Sequence, residues 1–325
     1  MPTCSARPRP TAARVPRWGR ACCASGCDLS SSGPGAQCRA FTSVPWPAVT
    51  VAFALSGGGN LGPLQAGTLL ALLESGVEPD LLVGSSVGAL NAAFLACRPG
   101  VSGAQSLVQG WSTLRRKEAV QLNPLWALAG FLGFRDHLLS PTRLRRLVRR
   151  WIETTRIEDA KVTLAVTATD ALSGECVVLR SGDLVEAVAA SAAIPGLLPA
   201  VRVDGRWLVD GSLSANRPVR QAQALGADDV YVVTTATAPR IRPPRGAVAM
   251  AMNSVSLVTT RMGLAELADA VRHAEDHGGR VRVVPSAQPH APGPFEYRRG
   301  AELAEAAYRC TRDWLESGDS EAAMS

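Results

Sequence analysis

Gly84-Ser85-Ser86-Val87-Gly88 stands between the apolar run Asp80-Leu81-Leu82-Val83 and the helix-forming stretch Ala89-Leu90-Asn91-Ala92-Ala93-Phe94-Leu95. One serine is thereby set on a strand-to-helix turn, the arrangement of a nucleophile elbow. Flanking glycines permit a turn with no room for side chains. The Ser86 hydroxyl then faces solvent, while the following helix aims its free N–H groups at the same spot. The chemistry indicated is acyl transfer or hydrolysis. In a chain rich in Gly and Ser the pattern alone also fits a neutral turn; the strand before it and the helix after it favour the nucleophile.

A second glycine cluster, Ser56-Gly57-Gly58-Gly59-Asn60-Leu61-Gly62, follows the apolar run 49–55. Gly57, Gly59 and Gly62 satisfy the dinucleotide fingerprint Gly-x-Gly-x-x-Gly. A nucleotide site of that kind, however, wants an acidic residue at the C-terminal end of the second strand, where Gly84-Ser85-Ser86 stands instead. The alternative is that the N–H groups of Gly57, Gly58 and Gly59 face the oxygen that turns negative in a tetrahedral intermediate. A serine also needs a base. His137, His273, His277 and His290 lie in no distinctive motif, whereas Asp210-Gly211-Ser212 closes the apolar run Trp207-Leu208-Val209. A carboxylate there, followed by glycine, can approach another loop closely; a plain turn is the other reading.

The elements that must position these groups read as an α/β unit. Strands are expected at 49–55, 81–83, 162–168, 176–179, 230–235 and 281–284, with a hairpin over 201–209 whose turn is Asp204-Gly205. Helices are expected near 65–75, 87–96, 104–115, 141–154, 248–274 and 301–315. Consecutive strands joined by helices are most simply parallel, which gives a three-layer, Rossmann-like fold with a mainly parallel central sheet.

The three glycine- and aspartate-bearing elements, in this order, resemble the patatin-like phospholipases, which carry a glycine-rich oxyanion loop, a Gly-x-Ser-x-Gly elbow and a distant Asp-Gly-Gly or Asp-Gly-Ala. Residues 190–199, Ala-Ser-Ala-Ala-Ile-Pro-Gly-Leu-Leu-Pro, and Asn216-Arg217-Pro218 add to the likeness, which spans about 49–235. The resemblance implies a Ser-Asp dyad with Ser86 as nucleophile and Asp210 as base, Gly57, Gly58 and Gly59 as the oxyanion hole, and Gly62, Gly84, Gly88 and Gly211 in support. It implies hydrolysis of phospholipids, lysophospholipids or other acyl lipids, with neither metal nor organic cofactor. Two positions depart from the family pattern: Leu61 stands where a basic residue is frequent, and Ser212 replaces the second Gly or Ala. The competing readings are a Ser-His-Asp esterase of the α/β-hydrolase type using His273 or His277, and a non-catalytic nucleotide- or lipid-binding module built on Gly57–Gly62.

With 325 residues, 46% of them hydrophobic, the chain can bury a full core. Its net charge of +6 is misleading, because residues 1–50 hold six arginines against Asp28 alone. The remaining chain is nearly neutral, which argues against nucleic-acid binding by the folded body. Residues 1–47 combine Pro, Arg, Ser, Gly and Cys without apolar periodicity and are expected to be disordered, or to arise from a misassigned start; 48–325 would form the hydrolase domain. Cys97, Cys176 and Cys310, spread singly through the body, are expected to be reduced and buried in a cytoplasmic protein. Neither a signal peptide nor a transmembrane helix is apparent. Two stretches suit peripheral contact with a membrane: the apolar, aromatic run 122–134, which equally fits a lid or a core segment over one sheet face, and the helix expected over 141–154, with Leu144, Leu147, Val148, Trp151 and Ile152 on one face and arginines on the others, a pattern that any helix docked on the body also shows.

Overall fold

The computed structural model describes residues 51–119, 134–238, 243–290, 293 and 296–318. The expectations for residues 1–47 and for 122–133 lie outside the described residues. Among these residues the strands are β1 (Val51–Leu55), β2 (Leu81–Ser85), β3 (Thr163–Asp170), β4 (Cys176–Leu179), β5 (Val201–Val203), β6 (Arg206–Asp210), β7 (Asp229–Val233) and β8 (Arg280–Val284). The helices are α1 (Gly62–Glu74), α2 (Val87–Cys97), α3 (Gly100–Thr113), α4 (Arg116–Ala119), α5 (Pro141–Trp151), α6 (Leu184–Ser191), α7 (Val219–Ala224), α8 (Ala247–His277) and α9 (Gly300–Glu316).

All eight strands join one sheet in the order β5-β6-β3-β2-β1-β7-β8, with β4 also paired to β3. The core strands β3, β2, β1, β7 and β8 run parallel, whereas β4, β5 and β6 add antiparallel pairings at the β3 side. Parallel strands are covered on both faces, which is why β1 and β2 read as unbroken apolar runs rather than alternating ones. Phe53, Leu55 and Leu82 point into one core with α2, α3, α6 and Trp314 of α9; Ala52, Ala54, Leu81 and Val83 point into another with Val219 and Ala222 of α7 and Ala270 and Ala274 of α8. The three-layer α/β fold follows.

Most expected elements are present. The β5–β6 hairpin turns through Asp204 and Gly205, both at positive φ (48° and 83°), as an Asp-Gly hairpin turn requires. Helices α4, α6 and α7 have no counterpart among the expected elements, since four, eight and six residues are too short to show a period. Helix α6 begins where Asp183 Oδ1 accepts the Glu186 N–H at 2.9 Å. Of the two readings of the helix expected over 141–154, membrane contact or docking by its apolar side, the structure shows the docked one. In α5, Leu147, Val148 and Trp151 are buried, the Trp151 ring meets Phe94 and Trp111 edge-on, and Arg145 grips Glu186 through two 2.7 Å bonds. Of the body cysteines only Cys97 is buried; Cys176 and Cys310 are half-buried, and all three are free thiols. No helix of the described residues is long and apolar enough to cross a membrane.

Candidate active site

Sheet register brings the two principal side chains together. Thr167 of β3 partners Ser85 at the end of β2, and the next residue, Ala168, partners Asp210 at the end of β6. Consecutive positions of one strand thus fix both strand ends. Ser86 leaves β2 at φ 54°, ψ −121°, a left-handed-side conformation that costs a non-glycine residue on the order of 1–3 kcal/mol and persists only where its surroundings enforce it. Two glycines supply that enforcement. A Cβ on Gly84 would sit 2.4 Å from the Gly88 carbonyl oxygen, and one on Gly88 would sit 2.3 Å from that of Leu55, so the elbow closes only without side chains there. The Ser86 N–H is held by Ser191 Oγ, at the end of α6, at 2.8 Å.

Ser86 Oγ donates to Asp210 Oδ2 at 2.7 Å. The other carboxylate oxygen, Oδ1, accepts the Ser212 N–H at 2.9 Å and the Ser212 hydroxyl at 2.6 Å. Asp210 is buried, and desolvation pushes its pKa above the usual carboxylate range, against the opposing pull of the Ser212 hydroxyl, the Ser212 N–H and the Ser86 hydroxyl. Gly211 is obligatory here, because a Cβ would lie 2.2 Å from the Thr167 carbonyl oxygen. The Thr169 hydroxyl donates to the Asp210 carbonyl at 2.8 Å and completes the clamp.

The glycine loop lies at the end of β1. The Gly57 N–H does not face an open site: it donates to the Asn216 carbonyl at 3.2 Å, and the residue is buried. Gly58 is half-buried and Gly59 exposed. Thr235 Oγ donates to the Gly57 carbonyl at 2.7 Å, and a Cβ on Gly58 would strike that hydroxyl at 2.1 Å. Beneath the loop runs a buried polar chain. Trp111 Nε1 donates to Asn91 Oδ1 (2.8 Å), Asn91 Nδ2 to Gln65 Oε1 (2.9 Å) and to the Gly62 carbonyl (3.1 Å), and Gln65 Nε2 to the Ser56 carbonyl (2.7 Å). Both ends of the loop are thus tied to α1, α2 and α3. Gly62 itself lies against Trp111, where a Cβ would sit 2.2 Å from the indole ring. Leu61 packs beside Leu64, Leu303 and Ala307, so this chain uses the position for apolar contact.

Sequence reasoning missed Gln65, Asn91, Trp111 and Thr235, which carry no motif. Ser191 and Asn216 sat inside stretches noted for family likeness, though without a role. Three of the four histidines are engaged elsewhere: His273 and His277 stack at 4.1 Å near the end of α8, where His277 Nδ1 pairs with the His273 carbonyl, and His137 pairs with Asp136; His290 pairs through its backbone with Ala238. Beyond Ser212 opens a cavity of about 320 Å³, lined by Ser212, Asn216, Arg220, Met262 and Glu266 among others. No group of His, Cys, Asp and Glu among the described residues could hold a metal ion.

The site thus holds a serine on a strand-to-helix elbow, bonded to a buried carboxylate within a three-layer α/β fold. Residues 53–222 match the model of the patatin-like phospholipases, and the chain belongs to that family, whose activity in general is lipid acyl hydrolysis. Similar proteins include an NTE family protein of Mycobacterium tuberculosis, Rv1063c, 31% identical over 186 residues that cover 57% of this chain and 48% of that one. Human patatin-like phospholipase domain-containing protein 6 is 28% identical over 57% of this chain and 13% of its own length. The chain spans about half or less of the length of these relatives. Among solved structures, VipD of Legionella pneumophila aligns at a TM-score of 0.40 and 16% identity, covering 83% of this chain and 67% of that one.

Proposed function

We propose that the protein is a lipid acyl hydrolase that cleaves carboxylic esters of phospholipids, lysophospholipids or related acyl lipids through an acyl-enzyme on Ser86, with Asp210 as base. The observation that carries the reading is the 2.7 Å bond from Ser86 Oγ to Asp210 Oδ2, made between two strand ends fixed by β3. Asp210 takes the Ser86 proton as Oγ attacks the ester carbonyl, and the carbonyl oxygen becomes an oxyanion. Gly58 and Gly59 are the loop glycines left to donate to it, together with the first N–H groups of α2. Collapse of the intermediate breaks the ester C–O bond, and the proton held on Asp210 passes to the departing alcohol. Water then gives its proton to Asp210 and attacks the acyl-enzyme, which releases the fatty acid and returns the proton to Ser86.

The base is ionised only above its raised pKa, so activity should fall on the acid side at a higher pH than an ordinary carboxylate would give. The testing experiment is labelling with a fluorophosphonate, with the modified peptide mapped, beside hydrolysis of p-nitrophenyl esters, lysophospholipids, phospholipids and triacylglycerols. Modification at Ser86 with ester turnover supports the proposal. An unlabelled Ser86, or loss of turnover in His273→Ala or His277→Ala, overturns it in favour of a binding module or a Ser-His-Asp esterase.

A further inference from the structure

Nine large hydrophobic side chains stand exposed among the described residues, and six of them lie on the first two-thirds of one helix, α8: Met250, Val255, Leu257, Val258, Met262 and Leu264. Met250, Leu257 and Leu264 recur every seventh residue and form one stripe, while Val255, Val258 and Met262 form a second beside it. At 3.6 residues per turn the two stripes together cover about half the helix circumference. The opposite side of the helix is docked: Thr259 is buried, its carbonyl accepts from Asn216 Nδ2 at 3.3 Å, and Gly263 lies against the Asn216 side chain. Asn216 is the residue whose carbonyl takes the Gly57 N–H. Met262, at the edge of the apolar face, lines the cavity that also contains Ser212, the hydrogen-bond partner of Asp210. The face therefore borders a cavity that reaches Ser212, the residue bonded to Asp210.

We propose that this half of α8 is the surface that seats the protein on an anionic lipid bilayer, its apolar stripes entering the acyl boundary while Arg245 and Arg261 meet lipid phosphates. The choice of lipid as occupant rests on the lipid-hydrolase reading and on two features of the helix. From Ala247 to Ala265 the single ionisable residue is Arg261, with Arg245 just before the helix; both arginines are exposed, and the acidic residues begin only at Glu266. Approach to a negative surface is thus unopposed along this half of the helix. The apolar face is also wider than the narrow seam that a second helix buries, whereas a bilayer covers a broad face at once. The helix is not apolar enough to cross a membrane, so it lies in the interface plane.

The test is sedimentation of the full chain with vesicles of equal parts phosphatidylcholine and phosphatidylglycerol, beside hydrolysis of a soluble p-nitrophenyl ester. Leu257→Glu with Leu264→Glu should lower the vesicle-bound to free ratio about tenfold or more, and Arg261→Glu should lower it on anionic vesicles, with soluble-ester turnover unchanged. Ser86→Ala should bind vesicles as wild type does, which separates this surface from the chemistry. If wild type binds and the α8 variants do not, the surface stands even where no ester is cleaved. Equal binding by wild type and the α8 variants overturns the proposal, as does wild type remaining unbound. Conversion of a dimer to a monomer by Leu257→Glu, without change in vesicle binding, would instead assign the face to a second copy.

Discussion

At the scale of single residues, Asp210 is held where its charge is costly and its basicity useful. Burial raises its pKa while three hydrogen bonds favour the ionised form, and two of those come from Ser212. Ser86→Ala should lower ester turnover by roughly 10⁴-fold or more with the fold intact, because the proposed nucleophile and base would act as one unit. Asp210→Asn should cost about 10²–10⁴-fold, since an amide can still bond Ser86 but cannot take its proton. The same substitution should raise Tm at neutral pH, because it removes a desolvated charge, and a thermal melt beside the assay checks both halves. Ser212 is the departure from the family's Gly or Ala that the structure makes sense of: its hydroxyl adds a 2.6 Å bond to the base. Ser212→Ala should move the acid limb of the kcat/KM profile to higher pH and lower turnover about ten- to hundredfold, while Ser212→Thr restores both. An unmoved acid limb would make Ser212 a spacer.

At the scale of elements, the site depends on where strands end and on what lies beneath the loops. The glycine loop rests on the Trp111–Asn91–Gln65 chain, which spans three helices and reaches the Ser56 and Gly62 carbonyls. Trp111→Phe would leave Asn91 Oδ1 buried without its donor, at a cost of about 1–3 kcal/mol. The expected outcome is a lower midpoint in urea together with a fall in kcat, since the glycines proposed as oxyanion donors sit on the loop above. A fall in stability with kcat unchanged would show that the loop holds its shape without this support. The strand–glycine–helix punctuation of the loop and the elbow was legible because sharp turns leave a local signature. The Ser191 bond to the Ser86 N–H and the polar chain under the loop were not, since each joins residues distant in sequence through one hydrogen bond.

At the scale of the whole molecule, two desolvated carboxyl groups, the buried Asp210 and the half-buried Glu266, contribute to the pH dependence of stability. Desolvation raises Glu266 of α8 from 4.5 to about 7, with Gln221, Arg220 and Arg217 opposing the shift, and it raises Asp210 as well. Each group binds its proton more tightly when folded, so its contribution to stability is complete below the unfolded pKa and is lost as pH rises through the folded one. Stability from this source should therefore decline between pH 4.5 and about 7, and Glu266→Gln should flatten that decline in urea titrations across the interval. The site residues all lie within 56–235, and the first residues of the chain lack any apolar pattern with which to pack on them. Removal of residues 1–46 should leave Tm and soluble-ester turnover close to their full-chain values, and a marked loss of either would show that this segment packs on the domain or acts in it.

Ser86, the glycine loop, the parallel α/β class and the family were within reach of the sequence, because a nucleophile elbow and buried parallel strands impose residue types on contiguous positions. Asp210 was visible as a candidate, but its turn is locally indistinguishable from any other; only the register of β3, which pairs Thr167 with Ser85 and Ala168 with Asp210, brings it to the serine. Tertiary structure alone decided that Gly57 spends its N–H on Asn216 and that α8 leaves its apolar face exposed, whereas docking of α5 by its apolar side was already one of the readings its sequence allowed. Periodicity reports that a helix has an apolar side. Whether that side meets core or solvent depends on which neighbours the chain's other segments place against it.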